Sequence, residues 1–145
     1  MIQKIIDPEM ICPCHSANMS SILFSKCCQK YIIGIAHAHT AEQLMRSRYT
    51  AFVLEDEQYL LSSWHTTTKP SSIDFNTATK WLGLKIISTK MGQDIDKEGW
   101  VKFIARYKVA GKAHRLEEHS YFTRELEHWK YVNAENNHTF PVSNL

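Results

Sequence analysis

All four cysteines of this chain fall within one 17-residue stretch, as the pairs Cys12/Cys14 and Cys27/Cys28, and no thiol follows. Two close pairs joined by a short loop supply four soft ligands that can converge on a divalent metal, zinc being the simplest choice. The competing readings are disulfides, redox-active thiols or four inert buried thiols. Disulfides need an oxidising compartment, and residues 1–8 contain no apolar run of signal-peptide length. Clustering of every cysteine at paired spacing argues against inert thiols. His15, His37 and His39 are reserve ligands, or else solvated loop histidines.

A second set of residues could carry acid–base chemistry. Pairing strands 101–109 and 113–122 about a turn at 110–112 puts Val101, Phe103, Ala105, Tyr107, Leu116, Ser120 and Phe122 on one apolar face, and Glu118 with them. A carboxylate buried alone is costly and either raises its pKa or finds a cation. Arg48 is the expected partner, with Arg46 as the alternate, giving a structural ion pair in the core. The functional alternative is a polar-floored pocket with Glu118 as general acid/base and Arg48 as its electrostatic partner. His65 is the remaining candidate, although a histidine at a helix end is more often a rim residue. No Ser/His/Asp order, phosphate-binding glycine loop or dinucleotide fingerprint is present.

These residues need elements to hold them. Thr40 and Gln43 form a capping box opening a helix over 41–55, whose apolar positions include Leu44, Met45, Ala51 and Phe52. Arg48 falls inside that stripe, which is odd for a face meant to be buried. A short helix is expected over 57–64 and a third over 71–80. The pattern then changes to period two: strands are expected at 82–89, 101–109, 114–125 and 128–132. Helices followed by a run of antiparallel strands make an α+β fold with the helices on one sheet face.

Size and charge narrow the function classes. A chain of 145 residues fits one domain with the cysteine segment as a small appendage. The net charge of +2 does not demand nucleic acid or an anionic membrane as partner. Lys26, Lys30, Arg46 and Arg48 keep a nucleic-acid reading open through the zinc-knuckle analogy. No stretch approaches a membrane span in length, so a cytoplasmic protein with reduced thiols is the simplest expectation.

The block Leu44 to Val53, with Tyr59/Leu60, Trp64/His65, 81–84 and 101–107, resembles the YchJ-like family of bacterial proteins, which join a SEC-C zinc motif to an NTF2-like domain. The resemblance implies an NTF2-like (cystatin-like) α+β cone, a curved antiparallel sheet wrapping helices. It also implies a division into a SEC-C-type motif and connector at 1–39, the NTF2-like domain at 40–134 and a polar tail at 135–145. The SEC-C motif elsewhere binds zinc through Cys-x-Cys and a later Cys-Cys or Cys-His, and mediates partner contacts. Here twelve residues, rather than the usual eight, separate the pairs, and His15 to Asn18 replace the motif's glycine-rich run. Some relatives carry a second such motif at the C-terminus; none is seen by Leu145. The resemblance points to a non-catalytic interaction or adaptor protein with one structural zinc. Its expected partner is a protein, translation- or translocation-related, and a homodimer is a further expectation. An isomerase- or hydrolase-like NTF2 pocket around Glu118 and Arg48 is the alternative.

Overall fold

The computed structural model describes residues 6–15 and 21–135; the expectations for 16–20 and for the tail lie outside the described residues. Three α-helices precede four strands: α1 (Gln29–Ile32), α2 (Ala41–Leu54), α3 (Glu57–Ser62), β1 (Thr79–Met91), β2 (Glu98–Val109), β3 (Lys112–Glu125) and β4 (His128–Ala134). The strands form one antiparallel sheet in the order β1-β2-β3-β4. The architecture is the α+β one expected, helices followed by one antiparallel sheet.

α2 is the central element. Thr40 accepts the Gln43 amide at 3.1 Å as its cap, while the Gln43 side chain bonds the His39 amide one residue beyond the usual box position. Ten of its 14 residues are buried, including Ser47, Arg48 and Thr50. A helix buried on several faces at once has no single apolar stripe, so Arg48 is not anomalous there. The sheet covers one side, α3 another, and the cysteine segment a third. Cys12, Cys14 and Cys28 belong to the same buried cluster as Met45, Tyr49, Phe103 and Phe122. The cysteine segment is thus packed into the core of the body and is no mere appendage.

β2 and β3 meet in the expected register, with Phe103 opposite Glu118 and Ala105 opposite Leu116. Ala110 and Gly111, both at positive φ, make the two-residue turn between them. At the β1–β2 loop the chains approach so closely that a Cβ on Gly99 would lie 2.4 Å from the Gly92 Cα. There the Gly92 carbonyl accepts the Ala41 amide at 2.9 Å, docking the loop on the start of α2.

Two expectations are corrected. The helix expected at 71–80 is absent: residues 69–78 are irregular, and β1 begins at Thr79. Pro70 and the turn-forming Ser71, Ser72, Asp74 and Asn76 oppose a helix, and Ile73 and Phe75 anchor the segment at extended spacing, Phe75 edge-on to Phe52 at 6.1 Å. The second helix stops at Ser62 because the following residues turn to make a single parallel bridge, Trp64 to Tyr131. Ser63 and His65 exchange backbone hydrogen bonds with Tyr131 at 2.9 and 2.8 Å, covering part of the exposed edge of β4.

Candidate metal centre

The four cysteines sit on tight turns tied together by a small antiparallel bridge. Ile11 pairs with Leu23, the Cys12 amide bonds the Ile22 carbonyl at 2.8 Å, and the Phe24 amide bonds the Met10 carbonyl at 2.9 Å. Cys14 lies in a 3-10 turn (Pro13–His15); a second such turn (Phe24–Lys26) delivers Cys27 and Cys28 to the start of α1. The sulfurs converge: Cys12–Cys14 are 3.6 Å apart, Cys14–Cys27 3.5 Å, Cys27–Cys28 3.9 Å and Cys14–Cys28 3.7 Å. All four lie within 4.8 Å of one another, form the one group of this kind among the described residues, and could hold a metal ion. Cys12, Cys14 and Cys28 are buried, while Cys27 is partly exposed. All four are free thiols.

The cluster's own electrostatics ask for a cation. The hydrogen bond from Cys14, then those from Cys27 and Cys28, push the Cys12 thiol far below its ordinary value. Cys14 and Cys28 are pushed up, first by their hydrogen bonds to Cys12 and further by burial. Cys27 is lowered as well, its contact with Cys12 opposing the shift and its hydrogen bonds with Cys14 and Cys28 producing it. The cluster thus favours negative charge on Cys12 and Cys27, and ionising Cys14 and Cys28 too calls for a cation.

α2 supplies the surroundings of the thiols. Glu42, Arg46 and Thr50 follow one another at i, i+4 spacing on the same flank. Thr50 donates its hydroxyl to the Cys28 sulfur at 3.4 Å and lies 3.7 Å from the Cys12 sulfur. Arg46 donates to the Cys14 carbonyl at 2.9 Å and to Glu42 at 2.9 Å. Such contacts orient and tune metal-binding thiolates. Neither role was read from the sequence, although a polar stripe on an otherwise buried helix was the available signal. The reserve histidines stay outside the sulfur cluster: His37 stacks on His128 with ring centres 3.7 Å apart, and His39 faces Asp94 at 3.4 Å.

The acid–base candidates are arranged differently from expectation. Arg48 and Glu118 are both buried, but no direct ion pair joins them. Arg48 donates instead to the Leu60 carbonyl at 2.8 Å and the Ser63 hydroxyl at 2.7 Å. Its guanidinium packs against the edge-to-face rings of Trp64 and Tyr131, 4.7 and 4.6 Å from their centres. Burial pulls its pKa down to about 10, which leaves it charged at neutral pH. Glu118 accepts from Ser120 at 2.6 Å and from the Tyr131 hydroxyl at 3.3 Å. Tyr131 therefore stands between the two charges, stacking on one and hydrogen-bonding the other. Burial raises the Glu118 pKa, and the residue is 1% exposed. His65 is elsewhere, near Glu125 at 3.9 Å and bonded to the Thr67 hydroxyl at 2.8 Å. Tyr131 thus links Arg48 and Glu118, while His65 lies apart from them.

Comparison with known proteins agrees with this architecture. Residues 40–134 match the family model described as YchJ, middle NTF2-like domain. A UPF0225 protein of Polaromonas naphthalenivorans is 42% identical over 132 residues, covering 86% of this chain and 96% of the relative. One from Chromobacterium violaceum is 41% identical over 127 residues, covering 85% and 90%. The solution structure of a SEC-C motif containing protein from Rhodopseudomonas palustris superposes with a TM-score of 0.73 at 25% identity, covering 87% of this chain and 98% of that one. A crystal structure of a SEC-C motif containing protein from Psychrobacter arcticus has the same fold, with a TM-score of 0.73 at 24% identity and coverage of 94% and 86%. With its NTF2-like body and its four-cysteine cluster packed against α2, the chain belongs to the YchJ-like family of UPF0225 proteins.

Proposed function

We propose that the protein is a non-catalytic interaction protein of the cytoplasm, in which a structural zinc ion bound by Cys12, Cys14, Cys27 and Cys28 holds a small protein-binding surface against an NTF2-like body. The sulfur spacing carries the zinc assignment. Tetrahedral zinc–thiolate bonds of about 2.3 Å require sulfurs about 3.8 Å apart, and the four close pairs span 3.5 to 3.9 Å. Bound there, zinc would let all four thiols ionise and would cross-link residues 12–28. Four protein ligands leave no position for an activated water, so its role is structural.

The surface beside the cysteines supports a protein partner. Met10, Ile11 and Ile22 are 59%, 46% and 37% exposed on the bridge that carries Cys12. Large apolar side chains grouped outside a rigid scaffold suit a protein contact. The nucleic-acid reading is weaker, because Arg48 is buried and Arg46 is engaged with Glu42 and Cys14. The enzymatic reading loses its base, since Glu118 is sealed in the core.

Elemental mass spectrometry on untagged protein tests the metal: about one zinc per chain is expected, lost in Cys27→Ser/Cys28→Ser. Cross-linking from the same protein then tests the surface. Partners captured by the wild type and not by a zinc-loaded Ile11→Glu/Ile22→Glu variant support the reading. Absence of zinc, or equal capture by that variant, refutes it.

A further inference from the structure

A cleft of about 520 Å³ lies where the connector after the cysteines meets the body, on the other side of α2's neighbourhood from the thiols. One wall is Tyr31 to Ala38, the opposite one is α3 with Ser62 and Ser63, and His128 to Lys130 of β4 close the end. Its size is that of small-molecule sites, and like them it has apolar and aromatic walls with a few convergent polar groups. Neither the sulfur cluster nor the Arg48–Glu118 core forms part of its lining.

The cleft's lining carries one cation, Lys130, and one carboxylate, Asp56. The Lys130 ammonium is half-buried and makes one hydrogen bond, to the Ser62 carbonyl. Among the described residues no carboxylate lies within ion-pair distance of it. Burial and Lys69 both work against its charge, and only Glu125 at longer range favours it. The floor residue Ser63 accepts a hydrogen bond at 2.7 Å from Arg48, whose Nε and second terminal nitrogen have no partner. A second cation thus stands directly behind the floor. The stacked imidazoles of His37 and His128 form part of the lining. The one acid there, Asp56, caps α3 and accepts the Tyr59 amide at 3.0 Å. The aromatic walls are Tyr31, Tyr59 and Trp129, with the Trp129 indole pinned to the His39 carbonyl at 3.0 Å.

A half-buried cation with no carboxylate within ion-pair distance, beside aromatic side chains, defines a complementary guest: a planar body with one anionic group. We infer that this cleft binds a small aromatic or heteroaromatic acid, its carboxylate or phosphate received by Lys130 and its ring lying between the aromatic walls. The site is independent of the partner surface proposed above. Because α1 follows Cys28 directly, however, the metal site and one wall of the cleft are joined through a single short helix.

The test is a nitrogen–proton NMR titration of the full zinc-loaded chain with benzoate, phenyl phosphate and benzamide, the last being the neutral shape match of benzoate. The Trp129 indole signal and the Ser62, Ser63 and His37 amides are the reporters. Saturable shifts at these positions with either anion, about tenfold weaker with benzamide, are expected from one charge-assisted contact. Whichever anion binds more tightly names the headgroup. Lys130→Met should remove the preference for the anion while leaving benzamide unchanged. Equal shifts with benzamide, shifts confined to other surfaces, or an undiminished anion preference in Lys130→Met would overturn the inference. If Lys130→Met does not fold, the benzoate–benzamide comparison on the wild type decides alone.

Discussion

Stripping the metal should destabilise the whole molecule and not merely loosen its N-terminus. Cys12, Cys14 and Cys28 are at most 1% exposed and share one buried cluster with Met45, Tyr49 and the sheet residues Phe103 and Phe122. Without a cation, the four thiols cannot all ionise in a space shaped for close sulfur contacts, and the two turns lose their cross-link. A ligand that binds only the native state stabilises it by RT ln(1 + [L]/Kd), about 4.1 kcal/mol at a thousandfold excess over Kd. For a chain of this size each kcal/mol moves Tm by about 2–4 °C. Restoring zinc to chelator-treated protein at that excess should therefore raise Tm by about 8–16 °C.

The assay is a thermal melt under reductant, followed by tryptophan fluorescence and by a zinc-release dye in the same cell. The reporters are well placed, because all four tryptophans belong to the body: Trp64, Trp81, Trp100 and Trp129. Trp81 packs edge-on to Tyr49 of α2 at 5.7 Å. Coincident fluorescence and release transitions, both shifted by the metal, are expected. A fluorescence transition that stays put while the metal comes and goes would refute the argument, because the cysteine segment would then fold as an independent unit.

Three further predictions follow from single contacts. Thr50→Val removes the hydroxyl donated to Cys28 and should weaken zinc binding by about 10–100-fold in competition with a chromophoric chelator, since its shape is kept. Gly99→Ala forces a Cβ to 2.4 Å from backbone and should cost about 3 kcal/mol, whereas Gly111→Ala, at φ +81° in open space, should cost about 1 kcal/mol in urea unfolding. Glu118→Gln tests the buried carboxylate. Its native pKa is raised, so the wild type's contribution from this group is fullest below about 4.5, the ordinary glutamate value, and is lost as pH rises through the native pKa. The variant should therefore gain stability relative to wild type between pH 4 and pH 7, and a relative loss over that range would show the opposite sign of coupling.

The legible features were those set by local chemistry. Paired cysteine spacing exposed the candidate ligands, and period-two alternation fixed the β2–β3 face down to the position of Glu118. Two-residue turn chemistry at Ala110 and Gly111 did the same for the hairpin. Features set by tertiary contact were not legible. The sequence pairs Arg48 with Glu118 because their charges are opposite and its helix is expected to cover the sheet face that carries Glu118. The guanidinium instead found carbonyl and hydroxyl acceptors near the end of α3 and two aromatic rings, none of which is marked in sequence as its partner. The helix expected at 71–80 failed for a related reason. Ile73 and Phe75 are held by contacts to the body, Ile73 through its amide to Glu57 at 2.9 Å, and side chains two residues apart reach one surface only from extended backbone.

α2 explains why the block from Leu44 to Val53 is at once the most recognisable part of the chain and the hardest to read by periodicity. Arg46 and Thr50 turn to the thiols, Arg48 to the aromatic core, Leu44 to the cleft, and Ser47 to the Tyr59 hydroxyl at 2.6 Å. Each turn of the helix thus serves several surroundings with different polar demands, and no amphipathic pattern can satisfy them together. A substitution on any face should be felt on the others, because the helix is packed on all of them and the interior transmits strain. The physical role of this helix is to make one rigid piece of metal centre, sheet and cleft. A surface built on the cysteine turns is then held at a fixed angle to the body, as the interaction role proposed above would require of a scaffold.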